Sequence, residues 1–208
     1  PILALVLLAA AGSLAAAPAP QLDIEAPAEL AAVAAELRAL GTEDFSEVLR
    51  VTGRPGFTRP IKVLIVPESS PLARDTPTWV SGYARGDEAL IVLFPARVRS
   101  YPDTNLRTLL HHELAHVLVA EAAAGRTVPR WFNEGVATVA AREWGLEDRA
   151  RFAAAVVGRG PGSTRELDAA FAGSAVEARR AYALSAAFVR FLQREHGPQV
   201  PAEILAGL

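Results

Sequence analysis

The sequence predicts an α+β domain: a small, mostly antiparallel sheet packed on a larger helical core. Its segment order is the first reason. Short runs of β-branched and apolar residues fall before Pro95, and segments with helical apolar spacing dominate after Asn105. Size is the second. The chain has 208 residues, 51% of them hydrophobic, enough to bury one good core.

The elements follow in order. Ile2 to about Leu14 is a continuous apolar run, followed by Ala15-Ala16-Ala17 and a Pro/Ala stretch to Pro20. That pattern is the hydrophobic part of a secretory signal with small residues near a cleavage point. The run is short for a membrane span. Residues 1–19 are therefore expected to be a signal peptide or a membrane-anchor remnant, with residues 1–17 the route to any membrane association. The protein is expected to be exported: periplasmic, secreted or cell-surface. The basic start of such a signal is missing and the chain has no methionine, so the true start is expected further upstream. Residues 20–28 read as a linker, and 29–208 as a single domain, with the apolar helical pattern Glu203–Leu208 leaving room for more sequence beyond it.

Glu29 to Leu40 and Glu43 to Val51 read as short helices, before a break at Gly53-Arg54-Pro55-Gly56. Ile61 to Val66 is a buried-type strand. Thr78 to Ala84 and Ala89 to Phe94 read as two more, joined through Arg85-Gly86-Asp87-Glu88 as a hairpin. Asn105 to about Ala123 reads as a helix with Leu106, Leu109, Leu110, Leu114, Val117 and Leu118 as its core face, capped by Asp103 or Thr104. Gly125 suits its end, and Pro129 suits the first turn of the next helix. Ser163-Thr164-Arg165-Glu166 fits a capping box that starts a further helix.

Composition narrows the function. The formal net charge of −2 gives no electrostatic case for nucleic acid. The absence of cysteine excludes a disulfide framework and a lipid-bearing lipoprotein cysteine.

The chemistry sits on the helix that begins near Asn105. His112-Glu113-Leu114-Ala115-His116 is an HExxH sequence. Two histidines four apart lie on one helix face, so both imidazoles can reach one metal ion. Glu113 is a step round the helix, where it can hold and deprotonate a water on that metal. The alternative is an ordinary helix with two buried, hydrogen-bonded histidines. A mostly apolar helix favours the metal, because buried imidazoles need partners. The spacing that continues HExxH toward a third histidine fails, since Val119 and Ala122 stand where Gly and His would be. A glutamate on the following helix remains. Glu134, in Trp131-Phe132-Asn133-Glu134-Gly135, follows His116 after 17 intervening residues, room for a helix end, a loop and a new helix start. Three protein ligands with an open fourth position mark a catalytic rather than a structural zinc site. Gly135 and Ala137 are small and allow the two helices to approach closely.

HHELAH followed by WFNEG resembles the gluzincins, most closely the bacterial peptidase-MA-like domains. The resemblance spans roughly Ile61 to Gly197 and includes Ala181 to Leu192, which looks like that group's closing helix. It implies a helical zincin core with His112, His116 and Glu134 as ligands of Zn2+ and Glu113 as general base. It implies a zinc metallopeptidase that cleaves peptide or protein substrates by Glu-assisted attack of a zinc-bound water. No GxMEN-type sequence is present to anchor a substrate amino terminus, which favours an endopeptidase. The resemblance also makes Tyr182 the second catalytic residue, an oxyanion donor, with Tyr83 a weaker candidate. It makes Ala89–Phe94 an edge strand open to an extended peptide; the residues themselves equally allow an interior strand. Thr138, one turn after Glu134, is the expected outer partner of a zinc-bound histidine. His111 faces away and is expected to pack, Trp131 and Phe132 to anchor the core, and His196 to sit at a helix end. The competing reading is a non-catalytic envelope module that keeps this fold for binding or scaffolding.

Overall fold

The computed structural model describes residues 20–55, 57–98, 102, 105–157 and 162–208. The expected signal or anchor, residues 1–19, lies outside them. No helix among the described residues is long and apolar enough to cross a membrane.

Four strands form one sheet: β1 (Leu22–Glu25), β2 (Ile61–Ile65), β3 (Gly82–Arg85) and β4 (Leu90–Leu93), in the spatial order β1-β2-β4-β3. The sheet is mixed rather than mostly antiparallel. β1 runs parallel to β2, and β2 parallel to β4; the β3–β4 pair is antiparallel. The cause is the connections. Two helices, α1 (Ala31–Arg38) and α2 (Thr42–Thr52), separate β1 from β2, and a crossover of that kind returns the chain parallel. Between β2 and β4 lie a short α3 (Pro71–Asp75) and β3 itself.

β1 also corrects the linker expected at 20–28. Leu22-Asp23-Ile24-Glu25 alternates apolar and acidic residues; Ile24 is buried, Leu22 packs on the core, and Asp23 and Glu25 stay less enclosed. The strand expected at Thr78–Ala84 starts only at Gly82, because a turn closed by the Val80 N–H on the Pro77 carbonyl precedes it. β4 has a partner on both sides, so Ala89–Phe94 is interior; among the described residues β1 and β3 are the outer strands, and β3 is the one that packs on α4.

The helix with the HExxH sequence is α4 (Leu106–Ala123). Its N-cap is Asn105, whose side chain accepts from the Thr108 N–H at 2.9 Å; Asp103 and Thr104, the expected caps, lie outside the described residues. Leu109, Leu110, Leu114, Val117 and Leu118 are all buried, as their spacing requires. The helix ends in two left-handed residues, Ala124 and Gly125. α5 (Arg130–Ala141) begins just after Pro129, which holds its N-cap. α6 (Leu146–Val157), α7 (Thr164–Ala170), α8 (Ala175–His196) and α9 (Val200–Gly207) follow. Ser163 caps α7 as its sequence suggests.

α4 lies across β3 and β4 and packs on its other sides against α2, α5 and α9; α5 packs in turn on α8. Gly135 sets the α5–α8 distance. A Cβ there would lie 2.7 Å from the Ser185 carbonyl oxygen, so only glycine permits this approach.

Candidate metal centre

α4 supplies His112 and His116 four residues apart, with ring centroids 4.8 Å from each other. α5 supplies Glu134 from its first turns. The Nε2 atoms of both histidines stand 3.4 Å from Glu134 Oε2. One donor atom from each of the three residues lies within 4.8 Å of the others. Glu134 Oε2 is buried and accepts no hydrogen bond.

This donor set fits a zinc ion. Charge-assisted hydrogen bonds would draw N and O to about 2.7–2.9 Å. Ligands held tetrahedrally at about 2.0–2.1 Å from a metal stand about 3.3 Å apart. The observed 3.4 Å agrees with the second spacing and leaves a lone-pair-bearing oxygen aimed at the gap.

Burial alone would raise the Glu134 carboxyl. The charge on His116 and the nearness of both imidazoles outweigh it and hold the carboxyl well below its usual range. Burial lowers His116, but the Glu134 charge more than reverses that, so its imidazole is raised. Arg130, a turn before Glu134, approaches the other carboxylate oxygen at 3.8 Å from a half-exposed position.

The outer partner of His116 is Asn133, missed by sequence reasoning. His116 Nδ1 lies 2.9 Å from Asn133 Oδ1. Read with Nδ1–H donating to the amide oxygen, the Nε2 lone pair is left facing Glu134, the tautomer a metal ligand needs. The only signal in the sequence was that Asn133 adjoins Glu134. Thr138, the expected partner, does not serve: its hydroxyl is buried a turn further along α5 and makes no hydrogen bond.

Glu113 is buried at 5% exposure and opens with His112 and Tyr182 onto a cleft of about 160 Å³. The cleft's other wall is the segment Trp79 to Gly82, leading into the edge strand β3. A Cβ on Gly82 would come within 3.2 Å of Glu113 Oε1, so the bare glycine lets the strand pass directly over the carboxylate. Tyr182, on α8, sits between rings: 6.2 Å from His112 and 5.1 Å from Phe171, centroid to centroid. The structure thus brings Glu113 and Tyr182 to the three-residue donor group. Tyr83 instead packs near Phe94, 6.3 Å away, outside the cleft.

His111 faces away from the donors, edge-on to Phe45 at 5.4 Å. Burial, helped by Arg107, pushes its imidazole down to about 4. Phe132 is buried, Trp131 stacks on Phe188 at 4.8 Å, and His196 ends α8, all as expected.

A helical core with HExxH on one helix, a glutamate donor on the next and a sheet edge beside them defines the zincin class of fold. The family model of the Peptidase MA superfamily matches residues 49–208, and the chain belongs to that superfamily. No curated protein and no solved structure matches the chain.

Proposed function

We propose that this protein is an exported zinc metallopeptidase that cleaves peptide bonds within peptide or protein substrates. The observation that carries the reading is the convergence of His112, His116 and Glu134 with Glu113 and Tyr182 at one cleft. Zinc, held by the three donors, would supply Lewis-acid polarisation of a carbonyl and a lowered pKa for water.

The rest is work for the chain. Glu113 takes a proton from the attacking water as the new C–O bond forms, then delivers it to the amine nitrogen as the C–N bond breaks. Its buried position keeps bulk water from competing for that proton. Tyr182 donates its hydroxyl to the oxygen that gains negative charge at the tetrahedral stage. Asn133 fixes the tautomer of His116. The outer edge of β3, unpaired among the described residues, aligns an extended substrate through main-chain hydrogen bonds. Export is supported by the apolar run at residues 1–17.

The test is metal analysis and turnover together. Wild-type chain should hold about one zinc, and Glu134→Ala should lose it or bind it far more weakly. Glu113→Gln should keep the zinc and lose hydrolysis of a peptide library. Undiminished turnover in Glu113→Gln would remove the base assignment. Zinc binding with no hydrolysis of any peptide would favour the scaffolding module. Fractionation of cells expressing the chain checks export.

A further inference from the structure

The cleft contains one charge that the mechanism does not use. Of the charged side chains that line it, Glu113 is the base and His112 a donor; the third is Arg179 on α8, the only cation of the Arg/Lys type among the described lining residues. Among the described residues Arg179 makes no ion pair and no hydrogen bond. Arg74, Arg149 and Arg165 share that lack of partners, but they project from exposed positions where water satisfies them. Arg179 is half-buried in the cleft wall. A guanidinium with reduced hydration and no ion pair among the described residues gains from an incoming carboxylate, which it can hold through two parallel N–H···O bonds.

Position sets which carboxylate. Arg179 precedes Tyr182 by three residues and so shares its face of α8. Three residues of helix span about 4.5 Å, and one residue of extended peptide spans about 3.3 Å. A substrate whose scissile carbonyl lies at Tyr182 therefore places at Arg179 a group one or two residues away. Two exposed apolar side chains lie at the cleft or next to it: Trp79, which lines it, is 80% exposed, and Val176, the chain neighbour of the lining residue Ala175, is 69% exposed. Exposed large apolar side chains flanking a single cation suit a peptide with an apolar residue next to an anionic one.

We propose that Arg179 is a specificity residue that binds a substrate carboxylate within one or two residues of the scissile bond. The inference rests on the peptidase reading above. The carboxylate comes either from an Asp or Glu side chain or from the substrate's own carboxy terminus, which would make the enzyme a carboxypeptidase.

The experiment uses the whole chain loaded with zinc and two sets of matched fluorogenic peptides. One set exchanges Asp or Glu for Asn or Gln beside the cleaved bond. The other exchanges a free carboxy terminus for its amide. The expected result is a preference for the carboxylate member of at least one set, identifying the source. That preference, read as a ratio of kcat/KM values, should fall roughly ten- to hundredfold in Arg179→Ala. It should be partly kept in Arg179→Lys and reversed in Arg179→Glu. Equal rates within both sets, or a ratio untouched by Arg179→Ala, overturns the proposal while leaving the peptidase reading intact. Should no peptide be hydrolysed, the peptidase reading fails, and fluorescence anisotropy of the same labelled peptides decides on Arg179. Tighter binding of the carboxylate members, lost in Arg179→Ala, upholds the anion site; equal binding overturns it.

Discussion

Replacing Gly135 with alanine probes how tightly the helix carrying Glu134 is held. The added Cβ would lie 2.7 Å from the Ser185 carbonyl oxygen, 3.0 Å from its carbon and 2.8 Å from Val189 Cγ2. Ordinary contact starts at 3.4 Å, so α5 and α8 must part by up to 0.7 Å, the difference between 3.4 and 2.7. Val189 can turn its methyl aside. The Ser185 carbonyl belongs to a helix backbone and cannot. An alanine in a helix interior is intrinsically better than glycine by about 1 kcal/mol, whereas overpacking costs about 1–3 kcal/mol. A backbone clash belongs at the upper end, so the net loss is about 1–2 kcal/mol, or about 2–8 °C in melting temperature for a chain of this size. Glu134 adjoins the substituted residue, and its Oε2 must keep its 3.4 Å spacing to two imidazoles on α4. Zinc affinity should therefore fall with stability. Thermal unfolding followed by circular dichroism, with and without chelator, reads the first. Competition against a chromophoric chelator reads the second. Gly207→Ala, where nothing lies within 4 Å, is the matched control and should change little. A Gly135→Ala protein that melts at or above the wild-type temperature with unchanged zinc affinity would refute the argument.

Two further expectations follow from local geometry. Asn133→Ala removes the acceptor for His116 Nδ1 and should weaken zinc binding by roughly ten- to hundredfold while the fold melts nearly as before; a loss of less than about twofold in the same chelator competition would show that the amide does not orient the ring. Glu177 accepts hydrogen bonds at the start of α8 from the Ser174 hydroxyl and backbone N–H, which hold its carboxyl below the ordinary 4.5. A depressed carboxylate contributes stability above its unfolded pKa and loses it as pH falls through the folded value, so Glu177→Ala should lower the melting temperature at pH 7 and differ progressively less below 4.5; a gap that persists undiminished in acid contradicts the cap.

The helices α4 and α5 and the strands β2 and β4 were legible, while β1 and the order of the sheet were not, for a physical reason. α4 announces itself locally: leucines at helical spacing and two histidines four apart constrain one face whatever lies around it. Glu134 was placed by the same kind of local evidence, a helix start at Pro129 and small residues after it. β1 is only four residues long and lies between prolines at 20 and 27, so its alternation was too short to outweigh the loop signals. Its partner, β2, begins at Ile61, and pairing across that separation leaves no periodic trace in sequence. The strand order is the same kind of non-local fact. It decides between the two readings left open for Ala89–Phe94, making β4 interior and β3 the outer strand beside the cleft. Asn133 shows the limit at the level of one bond: its neighbourhood was known, but an amide reaching across to another helix's imidazole depends on interhelical rotation that no local pattern encodes.

That amide also bears on the charge of the site. A carboxylate hydrogen-bonded to a metal-binding histidine makes the ring a stronger donor and drains positive charge from the ion. Asn133 orients His116 without adding an anion. With both imidazoles neutral, the Glu134 and Glu113 carboxylates together balance a bound divalent zinc, and Arg179 then leaves the cleft with one net positive charge among its described lining and donor groups. A neutral partner for His116 and an unpaired arginine thus act in the same direction. Both keep the cleft attractive to an anion, in a chain whose overall formal charge is −2. A substrate carboxylate is drawn to this one site against the sign of the molecule as a whole, so the preference for anionic peptides should weaken with rising ionic strength less than a surface-wide attraction would, because a half-buried pair is poorly screened.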